Sequence, residues 1–208
     1  MVTVGITGGI GSGKSTICDI WARMGAYILN ADDLAKEVMV SNAEVKEQLI
    51  STFGKDTFLD DGSLNRSYLA EEAFNKGRVK ELNAIVHPRL PEAVNAKMKE
   101  AEDAGYGVFV YEAALLLENL EPGDLDFTVL VLADKGRRLE RVHERDEAAI
   151  SDIKQRIDKQ RDFEKAIYHV DYVIRNNGTL KELQKKAEVI YQNFLPYNGK
   201  GENFSRKK

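Results

Sequence analysis

Residues 3–16 read Thr-Val-Gly-Ile-Thr-Gly-Gly-Ile-Gly-Ser-Gly-Lys-Ser-Thr. Gly8, Gly13, Lys14 and Ser15 fit the phosphate-loop pattern G-x-x-x-x-G-K-[ST]. Glycine lets successive backbone amides curl around an anion at close range. A helix starting near Gly13 aims its orphan N–H groups and positive dipole end at the same place. Lys14 then reaches the β- and γ-phosphates, and the Ser15 hydroxyl can ligand Mg²⁺. The flanks agree. Val2, Val4 and Ile6 alternate as in a strand before the loop, and Ile17, Ile20, Trp21 and Met24 recur at helical spacing after it. Strand, glycine loop and amphipathic helix together predict a nucleoside triphosphate site, not an incidental turn.

The chain has 208 residues and is 43% apolar, which suits one α/β domain with a small insertion. A net charge of −4 argues against a general nucleic-acid binder. A lone Cys18 allows neither an internal disulfide nor a cysteine metal cluster, so packing in a reducing compartment is expected. A strand at residue 2 leaves no room for a basic start and apolar run. The longest apolar runs, such as Val129 to Ala133, are strand-sized and too short to span a bilayer. A cytoplasmic protein without nucleic-acid or membrane partners is expected.

Parallel strands are expected near 2–7, 26–29, 107–111, 127–133 and 170–174, the last within a candidate stretch Tyr168 to Ile174. The run Phe127 to Ala133 is nearly all apolar, as in a strand covered on both faces. Asn30 or Asp32 could cap a helix carrying Leu34, Val38 and Met39. Asp32 and Asp33 then have two readings: dipole balance in a first turn, or a carboxylate beyond a strand end that accepts a proton from an attacking hydroxyl. Residues 40–100 offer helices at 43–53, 66–75 and 79–86, and no convincing strand. His87-Pro88 should break the pattern, since the residue before proline avoids α geometry, and Pro88 can open a helix to about Asp103. His87 and Arg89 are either a solvated junction or ligands of an anionic substrate. Glu112 ends the third strand, either near a magnesium ion or at the surface.

Pro122-Gly123 reads as a turn. Lys135 to Arg161 holds nine Lys/Arg and six Asp/Glu. Arg138, Arg141 and Arg145 share one helical face. They are either a solvated face laced with ion pairs or arginines that clamp a transferring phosphoryl group from a mobile segment. Asn176-Asn177-Gly178 is a turn, Thr179 caps a closing helix to about Leu195, and the basic end frays.

Taken together these pieces resemble the dephospho-CoA kinase family of P-loop kinases over about residues 2 to 195. The most telling segment is Thr7 to Thr16, whose Thr-Gly-Gly-Ile-Gly start is narrower than the general loop pattern. Asn30-Ala31-Asp32, His87-Pro88, Leu115-Leu116-Leu117-Glu118, Arg141 with Arg145-Asp146, and Val173 to Gly178 agree in order and spacing. The resemblance implies a three-layer α/β P-loop kinase fold with a five-stranded parallel sheet. It implies a core of 1–39, 104–136 and 162–196, a helical acceptor insertion at 40–103, a lid at 137–161 and a flexible tail at 197–208. It implies that ATP with Mg²⁺ phosphorylates the ribose 3′-hydroxyl of dephospho-CoA, giving CoA and ADP.

Carried over by position, Asp32 is the base and Gly11, Ser12, Gly13, Lys14, Ser15 and Thr16 form the ATP-phosphate site. Ser15 is the metal ligand. His87, Arg89, Leu116 and Glu118 lie on the acceptor side, Arg141 and Arg145 are lid arginines, and Asn176 and Gly178 lie by the adenine. Lys14 and Arg141 join Asp32 as catalytic groups. The family often has Asp at position 30 and Asp-x-Pro at 112–114, where this chain has Asn30 and Glu112-Ala113-Ala114. Neither change removes Lys14, Ser15 or Asp32. A monomer or weak oligomer is expected. The rivals are a P-loop kinase of another nucleoside or nucleotide, and a nucleotide-binding switch without catalysis.

Overall fold

Alternation of Val2, Val4 and Ile6 puts three apolar side chains on one face of strand β1 (Val2–Gly8), and all three are buried. In this computed structural model residues 1–119 and 124–196 are described, without the side chains of Glu118 and Asn119. The expected turn at Pro122-Gly123, the Glu118 side chain and the tail 197–208 therefore lie outside the described residues. The chain divides into two compact units, Met1–Leu29 with the residues from Ala101 on, and Asn30–Glu100. The division falls at Leu29/Asn30, not after residue 39.

The first unit is built on the sheet. After β1 come helix α1 (Lys14–Arg23) and strand β2 (Tyr27–Asn30). The order in the sheet is β2-β3-β1-β4-β5, all parallel, with β3 (Val108–Glu112), β4 (Phe127–Leu132) and β5 (Tyr172–Arg175) completing it. β1 thus lies between β3 and β4, with Ile6 beside Glu112 and Gly8 beside Val131. One face packs α1 and the last helix through Ile17, Ile20, Trp21, Leu183, Ala187, Tyr191 and Phe194. Trp21 is fully buried, donates Nε1–H to the Ala187 carbonyl at 2.9 Å and meets Phe194 edge-on. The other face of β4 packs Leu130 and Leu132 on Phe163 and Ala166. Strand β4 is covered on both sides, as its apolar run requires.

Two matched clasps set the register at the amino ends of the strands. Asp126, just before β4, accepts from both the amide and hydroxyl of Thr3 in β1, at 2.8 and 2.9 Å. Thr3 Oγ1 in turn accepts from the Asp126 amide. Asp171, just before β5, repeats this on Thr128 of β4. The last strand starts at Tyr172, so the stretch from Tyr168 is corrected. Phe163–His169 is a 3-10 turn instead, because Phe163 and Ala166 must reach the sheet and Asp162 caps it through the Glu164 amide.

The second unit is helical. It contains α2 (Ala31–Ser41), α3 (Ala43–Phe53), α4 (Arg66–Ala70), a π turn at Glu71–Asn75, α5 (Val79–Val86) and α6 (Leu90–Asp103), whose last residues return the chain to the first unit. Leu34, Val38 and Met39 of α2 are buried in this unit, as are Val45, Leu49 and Phe53 of α3 and Leu82 and Val86 of α5. Packing of α2 on α3 and α5 is why α2 belongs here. Arg78 knots the unit together: it donates to the Thr52 carbonyl, pairs with Glu72 and Glu81, and lies 4.5 Å over the Phe53 ring. His87 keeps helical dihedrals (φ −57°, ψ −39°), contrary to the pre-proline expectation. The break appears instead as a tightened 3-10 turn, His87–Arg89, in which Pro88 needs no amide partner.

The elements α7 (Leu116–Asn119), α8 (Lys135–Asp146), α9 (Ile150–Asp158) and α10 (Leu180–Phe194) complete the first unit. Among the described residues no helix is long and apolar enough to cross a membrane. Replacing Asp126 with Ala strips the Thr3 amide of its charged acceptor and should cost about 1–3 kcal/mol of stability. Urea unfolding checks this, and a loss below about 0.5 kcal/mol would show the clasp dispensable.

Candidate active site

The loop between β1 and α1 is shaped by where its carbonyls go. Gly8 O accepts from Lys14 Nζ at 2.9 Å, Ile10 O from Arg138 Nε at 2.8 Å, and Ser12 O from Asn176 Nδ2 at 2.8 Å. In a trans peptide the C=O and the following N–H point in opposite directions. Pinning these three oxygens therefore turns the amides of Gly9, Gly11 and Gly13 the other way. Among the described residues those three amides have no acceptor. Three alternate amides converging at a helix start make a concave anion cradle. The Ser12 hydroxyl is buried and unpartnered as well, so a further donor awaits an oxygen-rich ligand. Gly13 is required here: its φ is +103°, and a Cβ would lie 2.3 Å from Asn176 Nδ2.

Neighbouring strand ends supply the rest. Glu112 closes β3 beside β1, is 7% exposed, and accepts from the Ser15 hydroxyl at 3.2 Å. The Cys18 thiol, one turn on in α1, is close enough to Glu112 to feel its charge. Burial pushes that thiol far up, and the Glu112 charge adds to this, so Cys18 stays protonated and packs as expected. Ser15 and Glu112 together offer only oxygen donors, which fits a hard divalent cation.

Arg141 Nη2 donates to the Asn176 carbonyl at 3.0 Å, and Nη1 lies 3.5 Å from Gly11 O. Asn176, after β5, is buried between Arg141 and Ser12 and braces the loop. Thr16 is half-buried on α1, and Gly178 is exposed in the turn before α10. Arg145 is not brought to the loop. It forks onto Asp146 at 2.6 and 3.0 Å, and that carboxylate holds its guanidinium above the usual range. The helical face is shared, but a 1.5 Å rise per residue carries Arg145 about 10 Å along the axis from Arg138.

Leu116, expected on the acceptor side, is 1% exposed and fills the space over Gly5 of β1, so it serves the core. Asp32 lies exposed in the first turn of α2. The cap there is Asn30, whose side chain accepts from the amides of Asp32 and Asp33. Asp33 pairs with Lys36, and among the described residues the Asp32 carboxylate has no hydrogen-bond or ion-pair partner. His87 is exposed at its turn, while Arg89 is taken up by Glu44 at 2.5 Å. Two residues that no motif marks, Arg138 and Gln160, touch the loop directly. Only the i, i+3 spacing of Arg138 and Arg141 hinted at the first, and nothing pointed to the second.

A family model described as dephospho-CoA kinase matches residues 2–182. The dephospho-CoA kinase of Salinibacter ruber is 39% identical over 192 residues, which are 92% of this chain and 96% of that protein. The crystal structure of TT1252 from Thermus thermophilus superposes with a TM-score of 0.74 at 30% identity, covering 92% of this chain and 97% of that one. The dephospho-CoA kinase from Campylobacter jejuni does so at 0.64 and 25%, covering 92% and 96%.

Gly13→Ala forces a side chain into a left-handed conformation against Asn176, a strain of about 1–3 kcal/mol. Calorimetry should show ATP affinity weakened by about tenfold or more. Affinity equal to that of the unsubstituted chain would mean that the cradle is not the nucleotide site.

Proposed function

The chain belongs to the dephospho-CoA kinase family, and from that we propose that it transfers the γ-phosphoryl group of ATP to the ribose 3′-hydroxyl of dephospho-CoA. The products are CoA and ADP, in the last step of coenzyme A biosynthesis. The observation that carries this reading is the family match over residues 2–182, a span that includes the cradle, Asp32, His87-Pro88 and Arg141. A P-loop kinase for another nucleoside or nucleotide is not favoured by it, nor is a switch without catalysis.

Most of the catalysis is positioning and charge stabilisation. The amides of Gly9, Gly11 and Gly13 receive the triphosphate oxygens. Lys14 has three N–H donors, so it can keep Gly8 O while reaching the β- and γ-phosphates and following the charge to the leaving group. Mg²⁺ would be held by Ser15 with Glu112 beside it. When bound it would neutralise charge on the phosphates. Arg141 leaves Asn176 to stabilise the transferring group.

Asp32 is the base that takes the proton of the acceptor hydroxyl. In support, Asn30 does the capping and Lys36 occupies Asp33, so the Asp32 carboxylate is not spent on structure. His87, Arg89, Glu118, Thr16, Arg145 and Gly178 complete the substrate contacts. Arg89 and Arg145 must first release Glu44 and Asp146. We place the protein in the cytoplasm as a monomer or weak oligomer, with the helical unit Asn30–Glu100 as acceptor region in place of 40–103, and 137–161 as lid.

The test is ADP release with dephospho-CoA compared with AMP, adenosine and pantetheine phosphate. Turnover with dephospho-CoA alone supports the reading, and turnover with another acceptor replaces it. Asp32→Asn should lower kcat by about 10²- to 10⁴-fold with ATP binding kept. Near-normal turnover in that variant removes Asp32 as base. Arg141→Ala should lower kcat more than it weakens ATP binding, and an equal loss in both would make it a ground-state contact.

A further inference from the structure

Ile10, at the middle of the loop, is held by the α8–α9 hairpin and the residues just after it. Its side chain packs against Val142, Ile153 and Ile157, with Leu139 and Ala148 around them. Its carbonyl accepts from Arg138 Nε, and its amide donates to Gln160 Oε1 at 3.1 Å. Gln160 Oε1 also accepts from Arg138 Nη2, so one amide oxygen joins the arginine and the loop. The guanidinium lies against Gly9, where a Cβ would come within 2.4 Å of Nη2. Burial alone lowers the Arg138 guanidinium from its usual range, as expected of a cation whose partners here are neutral carbonyls.

We propose that Arg138 and Gln160 are positioning residues for phosphoryl transfer, which act through Ile10 to keep the glycine amides turned into the cradle. The inference rests on the kinase reading above. Ile10 O is the middle one of the three pinned carbonyls, and its release frees the peptide that carries the Gly11 amide. Lys14 and the start of α1, which bind the nucleotide most directly, are untouched by that release. Nucleotide affinity therefore survives while alignment of the transferring group is lost. The strap also ties the lie of the hairpin to the shape of the loop, since neither moves without breaking the Ile10 bonds.

The experiment uses the full chain with Gln160→Leu, Gln160→Glu and Arg138→Lys. Each is checked by thermal melting and assayed well below its Tm. Gln160→Leu is close in size but lacks the acceptor, and kcat with ATP and dephospho-CoA should fall about 10- to 100-fold. Its calorimetric ATP Kd should stay within about threefold. Gln160→Glu restores an acceptor toward Arg138 and should keep kcat within about threefold of the unsubstituted chain. Arg138→Lys keeps the charge, loses the fork, and should match Gln160→Leu, with the double variant no worse than either.

Hydrogen exchange of segment 8–13 in the nucleotide-free protein gives a readout independent of the acceptor. It should be faster in Gln160→Leu, because the Ile10 amide loses its partner, and in Arg138→Lys, because the Ile10 carbonyl and Gln160 Oε1 lose the arginine that holds them together. Unchanged exchange, unchanged kcat, or equal loss in the Leu and Glu variants overturns the proposal. If Gln160→Leu does not fold, Arg138→Lys decides by the same measurements. Should the unsubstituted chain ignore dephospho-CoA, the kinase reading fails while the exchange result still judges the strap.

Discussion

Planarity of the peptide bond is the constraint on which the site depends. A loop can present amides to an anion only if its carbonyls are satisfied elsewhere. In this chain one donor is local, Lys14 at the start of α1, and two come from distant places, Arg138 in α8 and Asn176 after β5. All three donors are polar or charged groups that would be costly to leave unpaired in a partly buried setting. The cradle is therefore held from outside, and its shape is a property of the whole first unit.

The sheet order makes this possible. With β1 between β3 and β4, the carboxyl ends of four strands deliver the loop, Glu112, the start of α8 and Asn176 to one rim. Asp134 and Asn177 exchange hydrogen bonds at that rim and tie the exits of β4 and β5 together. The opposite rim carries the Thr3–Asp126 and Thr128–Asp171 clasps. One edge of the sheet holds register, while the other holds chemistry, in keeping with where ligands lie in open α/β sheets.

Much of this was legible in the chain. The loop, the five strands and the Asn30 and Thr179 caps are local patterns of a few residues, and each was read from neighbours in sequence. The family resemblance drew on the same local segments and the comparisons bear it out. What was not legible is non-local. Gln160 meets Ile10 across 150 residues, with no motif on either side. Arg145 shares a helical face with Arg138, yet only the position of α8 along the loop decides which arginine arrives. Leu116 looked like part of a binding segment and is core, because its direction is set by the glycine beneath it in β1. The extended start assigned to the last strand failed at Tyr168 because two apolar residues just before it were needed by the sheet.

The single tryptophan of the chain has a use beyond packing. Trp21 is sealed in the core on the same helix whose first turn closes the cradle, and its indole is tied to Ala187 of α10. Its emission is thus a built-in optical gauge of that helix: blue-shifted while the joint is dry, red-shifted once water enters. Unlabelled protein can therefore report the loss of that packed joint through one spectral channel, on the helix that carries Lys14 two turns away.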